Sequence, residues 1–211
     1  MTLNLTNIKT EIVNFLRNSD IFSVGTRGVT TISDTGTFDS DSTHTLANAP
    51  TTVKNVRSVT RGSLLVYGED YTVNFSTGVI SFTSAQTGAY TIIYDNGSDK
   101  IYPDFPRDDL TISSYPRMAI DIQSVDTDAL GIGGDTFISN INFTVVVYAN
   151  TVGGIDGYIQ AIKDAMRGNA KLFYYVNFVK PTVTGPVINS PDMRNEIMQR
   201  NTDFQGMFQE E

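Results

Sequence analysis

The sequence contains one histidine, His44, which is the first residue to consider for acid–base catalysis. It lies in the polar segment SDSTHTLANAP, where Ser42 is the nearest hydroxyl that an imidazole could activate. A catalytic base must be held against its nucleophile by a rigid framework, and this segment offers no apolar framework of that kind. The pattern therefore favours a solvated loop histidine over a catalytic triad with Ser42 or a distant serine.

The segment DTDALGIGGD has part of the pattern of a calcium-binding loop. Asp126 and Asp128 stand at the first and third loop positions, and Gly131 stands at the sixth. Leu130 and Phe137 occupy the fifth and twelfth positions, where oxygen ligands are required. No Gly-Lys-Ser/Thr sequence follows the glycines, as a phosphate-binding loop would need. We therefore expect a hairpin tip without a bound ion.

Two acidic pairs, Asp108-Asp109 and Glu210-Glu211, complete the residues that could do chemistry. Paired carboxylates hydrolyse glycosides only when they face each other across a cleft. Nothing in the sequence places either pair in a cleft, so both read as solvated charge. We expect a protein that is not an enzyme and that has no cofactor or metal.

The composition narrows the possible partners. The net charge is −8 and the isoelectric point is about 4.6, and no Lys/Arg cluster is present, so non-specific binding to nucleic acid is disfavoured. The absence of cysteine excludes disulfides and thiolate metal sites. The N-terminal segment lacks the pattern of a signal peptide, and the longest apolar run, FTVVVYA, is too short to span a bilayer.

Two segments have the periodicity of amphipathic helices. Leu5, Ile8 and Ile12 recur at three- and four-residue steps, which predicts a helix ending near Asn18. The segment GIDGYIQAIKDAMRGN predicts a second helix, which Gly168 is well placed to end. We expect both apolar stripes to pack on a sheet.

The segments around these helices read mostly as strands. YPRMAIDI, TFISNINFTVVVYAN and KLFYYVNFV have strand character, whereas the prolines of KPTVTGPVINSPD indicate a loop. The C-terminal segment MRNEIMQRNTDFQGMF alternates without a clean apolar face. A strand that is polar on both sides indicates partners on one or both faces, or else a solvated edge strand.

Residues 25–97 have a different character. Thr, Ser, Gly and Asp dominate, and every apolar pattern has period two, which predicts a small all-β sandwich of short strands separated by turns. The predicted strands are Val29–Ser33, Val53–Thr60, Ser63–Tyr67, Asp70–Phe75, Val79–Thr83 and Ala89–Tyr94.

These patterns predict an α+β fold interrupted by an insertion. Residues 1–24 and 99–211 would form one domain, an antiparallel sheet flanked by two helices. Residues 25–98 would form the inserted β-sandwich. An insertion of this kind survives when its two ends lie close together, as they do in a small sandwich.

The inserted segment resembles a small β-domain that is common in structural proteins of tailed phages. Its pattern has an opening strand, then Gly-x-Asp-Tyr-Thr-Val, a turn with glycine, an Ile-x-Phe strand and a closing strand that ends in tyrosine. The matching residues here are Gly68, Asp70, Tyr71, Thr72, Val73, Gly78, Ile80, Phe82 and Tyr94. The resemblance implies a decoration or contact module.

The rest of the chain resembles the tail terminator proteins of long-tailed phages. The order of elements agrees: an N-terminal helix, the strand YPRMAIDI, a glycine-bearing hairpin, a long apolar strand, a helix near Ile155 and a closing strand with RNTDFQGMF. The family does not require an insertion. The resemblance implies a homohexameric ring that caps the tail tube, ends tail polymerisation and joins the tail to the head connector. The protein would then belong to the neck or tail of a virion assembled in the host cytoplasm.

The implied partners are further copies of the chain, the tail-tube protein and the head–tail connector, with DNA passing through without specific binding and with no membrane. We expect the C-terminal strand to supply the subunit interface and the polar loop to face the tube or connector. The candidate interface residues are Arg194, Glu196, Arg200, Asp203 and Phe204, and those of the loop are Asp126, Asp128 and Asp135.

Two alternatives remain at this stage. The protein could be another neck or tail component, such as a head-completion or tail-tube protein with an added domain. It could also be a carbohydrate-binding or hydrolytic virion protein, with a stacking surface supplied by tyrosines of the insertion. These are Tyr67, Tyr71, Tyr90 and Tyr94.

Overall fold

The chain folds into two compact units. The computed structural model describes residues 4–47, 53–103, 115–129, 137–168, 176–190 and 197–210. One unit, the frame, combines Met1–Ile21 with Lys100–Glu211. The other, the inserted unit, comprises Phe22–Asp99.

The frame is built on a five-stranded sheet with two helices. The helices are α1 (Leu5–Asn18) and α3 (Val152–Gly168). The strands are β6 (Ile101–Tyr102), β7 (Arg117–Ala129), β8 (Phe137–Ala149), β9 (Asn177–Ser190) and β10 (Ile197–Glu210). They lie in the order β6-β7-β8-β10-β9, and all neighbours are antiparallel except the pair β6 and β7.

Helix α1 forms where the sequence predicts it. The side chain of Asn4 accepts hydrogen bonds from the backbone N–H groups of Thr6 and Asn7, at 3.0 and 3.2 Å, and so caps the N-terminus. Ile8 and Ile12 of the apolar stripe are fully buried, whereas Leu5, at its start, is 44% exposed. At the other end, Ser19 donates to the carbonyl of Phe15, which satisfies one of the last free carbonyls.

Both helices lie against the same face of the frame sheet, which we call the packing face. On α1, the carboxylate of Glu11 accepts the backbone N–H of Val176, and Val176 packs on Gly206 of β10. On α3, Asp156 pairs with Arg200, which also belongs to β10. Gly206 and Arg200 are an even number of residues apart on one strand, so they share a face.

The C-terminal strand differs from its predicted character. We expected β10 to be polar on both sides, but Thr202, Phe204 and Phe208 are buried on the packing face. The strand also lies inside the sheet, between β8 and β9, and not at an edge. Its apolar face was hidden in the sequence because Thr202 and Gly206 occupy two of the buried positions.

The segment predicted as a proline loop is the edge strand β9. Pro181 lies opposite Phe204, and the register of β9 against β10 shifts three times along their length. Proline lacks the N–H that a central strand must donate, but an edge strand can accommodate this loss. The edge position therefore explains how a segment with two prolines pairs with β10.

The inserted unit contains one helical turn and a second five-stranded sheet. The elements are α2 (Val24–Arg27), β1 (Val29–Thr45), β2 (Val53–Arg61), β3 (Ser63–Leu65), β4 (Tyr71–Asn74) and β5 (Val79–Gly97). The strand order is β1-β5-β2-β3, and β4 pairs separately with the first residues of β5.

Strands β1 and β5 are long and bent around one core. Two strands predicted at 79–83 and 89–94 are both parts of β5, and Gly88, at φ +96°, continues the strand instead of ending it. Pairing between β1 and β5 is irregular near Ser40, which has a φ of +59°. Residues from both halves of β5, Ile80 and Ile92, are fully buried in a single cluster, which requires the bend.

A buried charge network joins the start of the inserted unit to its end. The guanidinium of Arg27 donates to Asp95 at 2.8 Å and to Asp99 at 2.6 Å. Asp95 also accepts hydrogen bonds from Arg57 and Thr31, both at 2.8 Å. The side chains of Arg27 and Asp95 are completely buried, so each charge depends on the others for its solvation.

The predicted fold class is wrong. We expected an α+β fold with a sheet flanked by two helices and interrupted by a sandwich, but the described residues are mostly β, with 61% in strands and 21% in helices, and form two multi-stranded sheets. The strands continue through positions that the sequence suggested were turns or loops, notably Gly88 and Pro181. The two frame helices share one face and do not flank the sheet.

We predict that Gly206→Ala destabilises the frame by about 1–3 kcal/mol. An added Cβ would overlap the Cγ1 atom of Val176, which is itself buried. Urea unfolding would measure the loss. Gly157→Ala is the control, because its added Cβ meets no atom within 4 Å and alanine favours the helix. The double variant Gly206→Ala/Val176→Ala should lose less unfolding free energy than the sum of the losses of the two single variants. Additive losses would contradict the packing argument.

We predict that Asp95→Asn destabilises the inserted unit by about 3–5 kcal/mol, because it leaves Arg27 buried with a weakened partner. Burial alone would raise the pKa of Asp95, but hydrogen bonds from Arg57 and Thr31 and the charge of Arg27 outweigh it and lower the pKa. The stabilisation is therefore complete above the unfolded pKa of about 3.9 and is lost as pH falls through the lower folded value.

Thermal melting of the wild type and of Asp95→Asn between neutral and acidic pH would test this assignment. Asp39→Asn, on the exposed part of β1, is the control for loss of a carboxylate. If Asp95→Asn loses as much stability on acidification as the wild type does, Asp95 is not the source of the acid sensitivity.

Candidate functional site

The second face of the frame sheet, which we call the open face, is polar. It is opposite the packing face. It is accessible along residues 121–128 of β7, whereas toward the other end of the sheet Ala119 and Val146, which share this face, are buried. Carboxylates, amides and hydroxyls make up most of it. Its members include Asp121, Ser124, Asp126 and Asp128 of β7, Asn140, Asn142 and Thr144 of β8, and Asn201, Asp203 and Gln205 of β10.

Hydrogen bonds between neighbouring strands fix the side chains of the open face. The hydroxyl of Thr144 donates to Asp203 at 2.7 Å, and the amide of Asn142 donates to Ser124 at 2.9 Å and to Asp126 at 3.3 Å. These bonds join β7 to β8 and β8 to β10. The open face is therefore a preorganised polar surface and not a set of independent side chains.

A bulge in β7 widens this surface into a shallow cleft. The register of β7 against β8 shifts between Ile122 and Ser124, so Gln123 is the extra residue, and its amide donates to Asp121 at 2.7 Å. The cleft has a volume of about 360 Å³. It is lined by Gln123, Ser124, Asn142, Phe143, Thr144, Thr182, Asp203 and Phe204.

The cleft can hydrogen-bond polar groups, but it holds no catalytic set. Its one carboxylate, Asp203, is bonded to Thr144, and no histidine or cysteine lines it. Within the described part of the chain, no three His, Cys, Asp or Glu residues lie close enough to bind a metal ion. The cleft can donate and accept hydrogen bonds with a hydrophilic partner surface.

The frame sheet also has two long unpaired edges among the described strands. At one edge, β9 pairs with β10 only; at the other, β6 covers only Met118 and Ala119 of β7, which leaves Ile120–Ala129 unpaired on that side. On β9, Val183 and Ile188 are 59% and 47% exposed. An exposed edge with apolar side chains is a site where another strand can pair.

The predicted interface residues on β10 have different environments. Asp203 lies on the open face, whereas Phe204 is buried and stacks on Phe143 with ring centroids 5.3 Å apart. Arg200 donates to the carbonyl of Gly185 at 2.8 Å and pairs with Asp156 of α3. The remaining two, Arg194 and Glu196, lie outside the described residues.

The predicted tube- or connector-facing residues lie partly on a strand. Asp126 and Asp128 project from the exposed end of β7, on the open face, and Asp126 is bonded to Asn142. Asp135 and the glycine-rich tip lie outside the described residues. The structure therefore places these two carboxylates on the same surface as Asp203.

His44 lies on β1 and not in a loop. Its Nε2 is 2.9 Å from Asp34, and its ring meets Tyr90 edge-on with centroids 5.0 Å apart. This contact spans the bend in β1. Burial, with the nearby charge of Asp34, raises the pKa of Tyr90.

The tyrosines of the inserted unit do not form one surface. Tyr94 is completely buried, and Tyr71 is only 4% exposed. Burial raises the pKa of the Tyr71 phenol. Tyr67 packs edge-on against Tyr71. Two of the four proposed stacking residues therefore belong to the core of this unit.

No protein-family model matches this chain. Neither the scan against protein-family models nor the search of curated proteins gives a match. None of the described helices has the length and apolarity needed to cross a bilayer. The functional argument therefore depends on the geometry of the frame sheet.

Sequence reasoning missed Lys180, Val183 and Ile188, because it assigned them to a proline loop. Their β-branched neighbours and the spacing of the two prolines would have been compatible with an edge strand. Lys180 lies opposite Gln205, and so on the open face, where it is exposed. It brings an exposed positive charge to the end of a surface on which the other accessible charged groups, such as Asp126 and Asp128, are carboxylates.

We predict that Arg200→Gln lowers the free energy of unfolding of the frame by about 1–2 kcal/mol, mostly through the lost bond to Gly185. Asp156 is half-exposed, so Asp156→Asn should cost less than about 1 kcal/mol. Arg167→Gln, an exposed arginine at the end of α3, is the control and should change little. Denaturant unfolding checks all three. Equal stability of the Arg200 and Arg167 variants would show that the intramolecular contacts of Arg200 contribute nothing.

Proposed function

We propose that this protein is a virion structural protein that caps the tail tube of a long-tailed phage as a homohexameric ring. The ring would end tail polymerisation and offer its other surface to the head connector. It would assemble in the host cytoplasm and remain in the neck or tail of the virion. The protein would act by geometry and not by catalysis.

The observation that carries this proposal is the asymmetry of the frame sheet. One face packs against α1 and α3, and the other, along residues 121–128 of β7 and the adjoining parts of β8 and β10, is hydrophilic, preorganised and rich in carboxylates and amides. A sheet with one open polar face is suited to line a water-filled passage. The carboxylates of Asp121, Asp126, Asp128 and Asp203 would repel DNA phosphates and so let DNA pass without binding.

A ring also explains how growth of the tube would stop. Head-to-tail contacts between identical subunits close into a ring when the rotation between them permits it. If only one surface of this ring matches the tube, further tube subunits find no complementary surface on the other side. The order of frame elements, which resembles that of tail terminators, supports this reading over a tube subunit, which must match on both sides.

We predict that the purified protein forms sixfold rings with a central hole in negative-stain electron micrographs. Added to polymerising tail-tube protein, it should bind at one tube end and shorten the tubes in proportion to its concentration. Incorporation along the tube would instead indicate a tail-tube component. A protein that neither forms rings nor changes tube length would contradict the proposal.

A further inference from the structure

The two unpaired edges of the frame sheet are complementary to each other. The β9 segment carries Lys180 and no acidic residue, whereas the unpaired part of β7 carries Asp121, Asp126 and Asp128 and no basic residue. Lys180 and these carboxylates all lie on the open face. Strands placed side by side with opposite charges on one face attract each other.

Strand direction also fits this pairing. In the order β7-β8-β10-β9 every neighbour is antiparallel, so β9 runs opposite to β7. A second copy that continues the sheet in the same orientation therefore sets its β7 antiparallel to β9 of the first copy. Antiparallel pairs form straight hydrogen bonds between strands and tolerate one solvated face.

The edge strand β1 of the inserted unit differs from β9 in its side chains. Strand β1 of the inserted unit pairs with β5 only, but it carries Asp34, Asp39 and Asp41 and an irregularity at Ser40. Carboxylates on an edge strand oppose its pairing with its own copy or with another acidic strand such as β7. Strand β9 has exposed Val183 and Ile188 in their place. The two prolines of β9 lack backbone N–H donors. A partner strand can therefore form hydrogen bonds along only part of β9, and only some registers between the two strands are possible.

We propose that β9 of one copy pairs with β7 of the next copy, so that the frame sheets of neighbouring subunits form one continuous antiparallel sheet. The occupant of each free edge is therefore a second copy of this chain. The proposal rests on the proposed ring, for which it names the contact. A two-fold contact between two β9 strands is less favoured, because it brings Lys180 of one copy toward its equivalent and leaves the carboxylates of β7 without a basic side chain opposite them.

Thiol cross-linking tests this contact directly, because the chain has no cysteine of its own. Val183→Cys on β9 would be combined in turn with Gln123→Cys, Ser124→Cys and Asp128→Cys on β7, to sample the register. A short bismaleimide should link at least one double variant into a ladder that ends at the ring size. The four single variants are the controls and should remain unlinked.

A charge exchange gives an independent measurement. Lys180→Glu should weaken self-association about fivefold at low salt and less at high salt, because the added repulsion is screened. Asp126→Lys in the same chain should restore association. Arg167→Glu, at the exposed end of α3, is the matched charge reversal and should leave the sedimentation profile unchanged.

Each outcome separates this contact from the proposed function. Rings in micrographs without cross-links in any double variant would overturn the β9–β7 contact and leave the ring intact. Dimers from Val183→Cys alone would establish the two-fold β9 contact and overturn ours. A chain that stays monomeric, alone and with tube protein, and forms no cross-links would overturn both. Cross-linked rings that do not cap tubes would support the contact and contradict the function.

Discussion

The ion pair between Arg27 and Asp99 holds together the two ends of the unit that interrupts the frame. Arg27 lies just after the chain enters the inserted unit, and Asp99 lies where the chain leaves it. An insertion must return its end close to its start, and this contact holds the two ends together. The backbones of the two ends also pack closely at Gly28 and Gly97. A side chain at Gly97 would not fit, because its Cβ would lie 2.6 Å from the carbonyl oxygen of Gly28. The inserted unit therefore closes through its own residues.

The buried charge network around this pair has a desolvation cost. Removing a guanidinium and two carboxylates from water opposes folding, and the network offsets the cost only because hydrogen bonds from Arg57 and Thr31 complete the partners of Asp95. An apolar cluster could stabilise the same position without this balance. The charged version fixes one arrangement of the strand ends, because a shifted register would leave buried charges unpaired.

The sequence predicts local structure well where burial and periodicity agree. The stripe of α1 through Ile8 and Ile12 is buried as expected, and β2 is observed at Val53–Arg61, close to its predicted range. Where local signals conflict with the fold, prediction fails. Gly88 and Pro181 have the sequence character of turns, but pairing with neighbouring strands overrides it. The edge position that allows Pro181 is decided by the topology and cannot be read locally.

The candidate site is also decided by strand pairing that local sequence patterns do not reveal. The carboxylates Asp126, Asp128 and Asp203 are visible in the sequence, but their location on one face depends on β8 lying between β7 and β10. A polar strand looks solvated on both sides when its buried positions are small, as Gly206 and Thr202 are in β10. Only the pairing of strands that are distant in sequence reveals which face is open.

The register of β1 against β5 also determines how the inserted unit responds to a mechanical load. Val29 pairs with Gly97 at the base of the ladder, beside the two points where the chain enters and leaves. A pull on these points acts along the hydrogen bonds of an antiparallel ladder, which lie perpendicular to the strands. The pairs would therefore open one after another and not in concert. Resistance would be concentrated in the Arg27 network, which must break first, and a long, soft extension would follow.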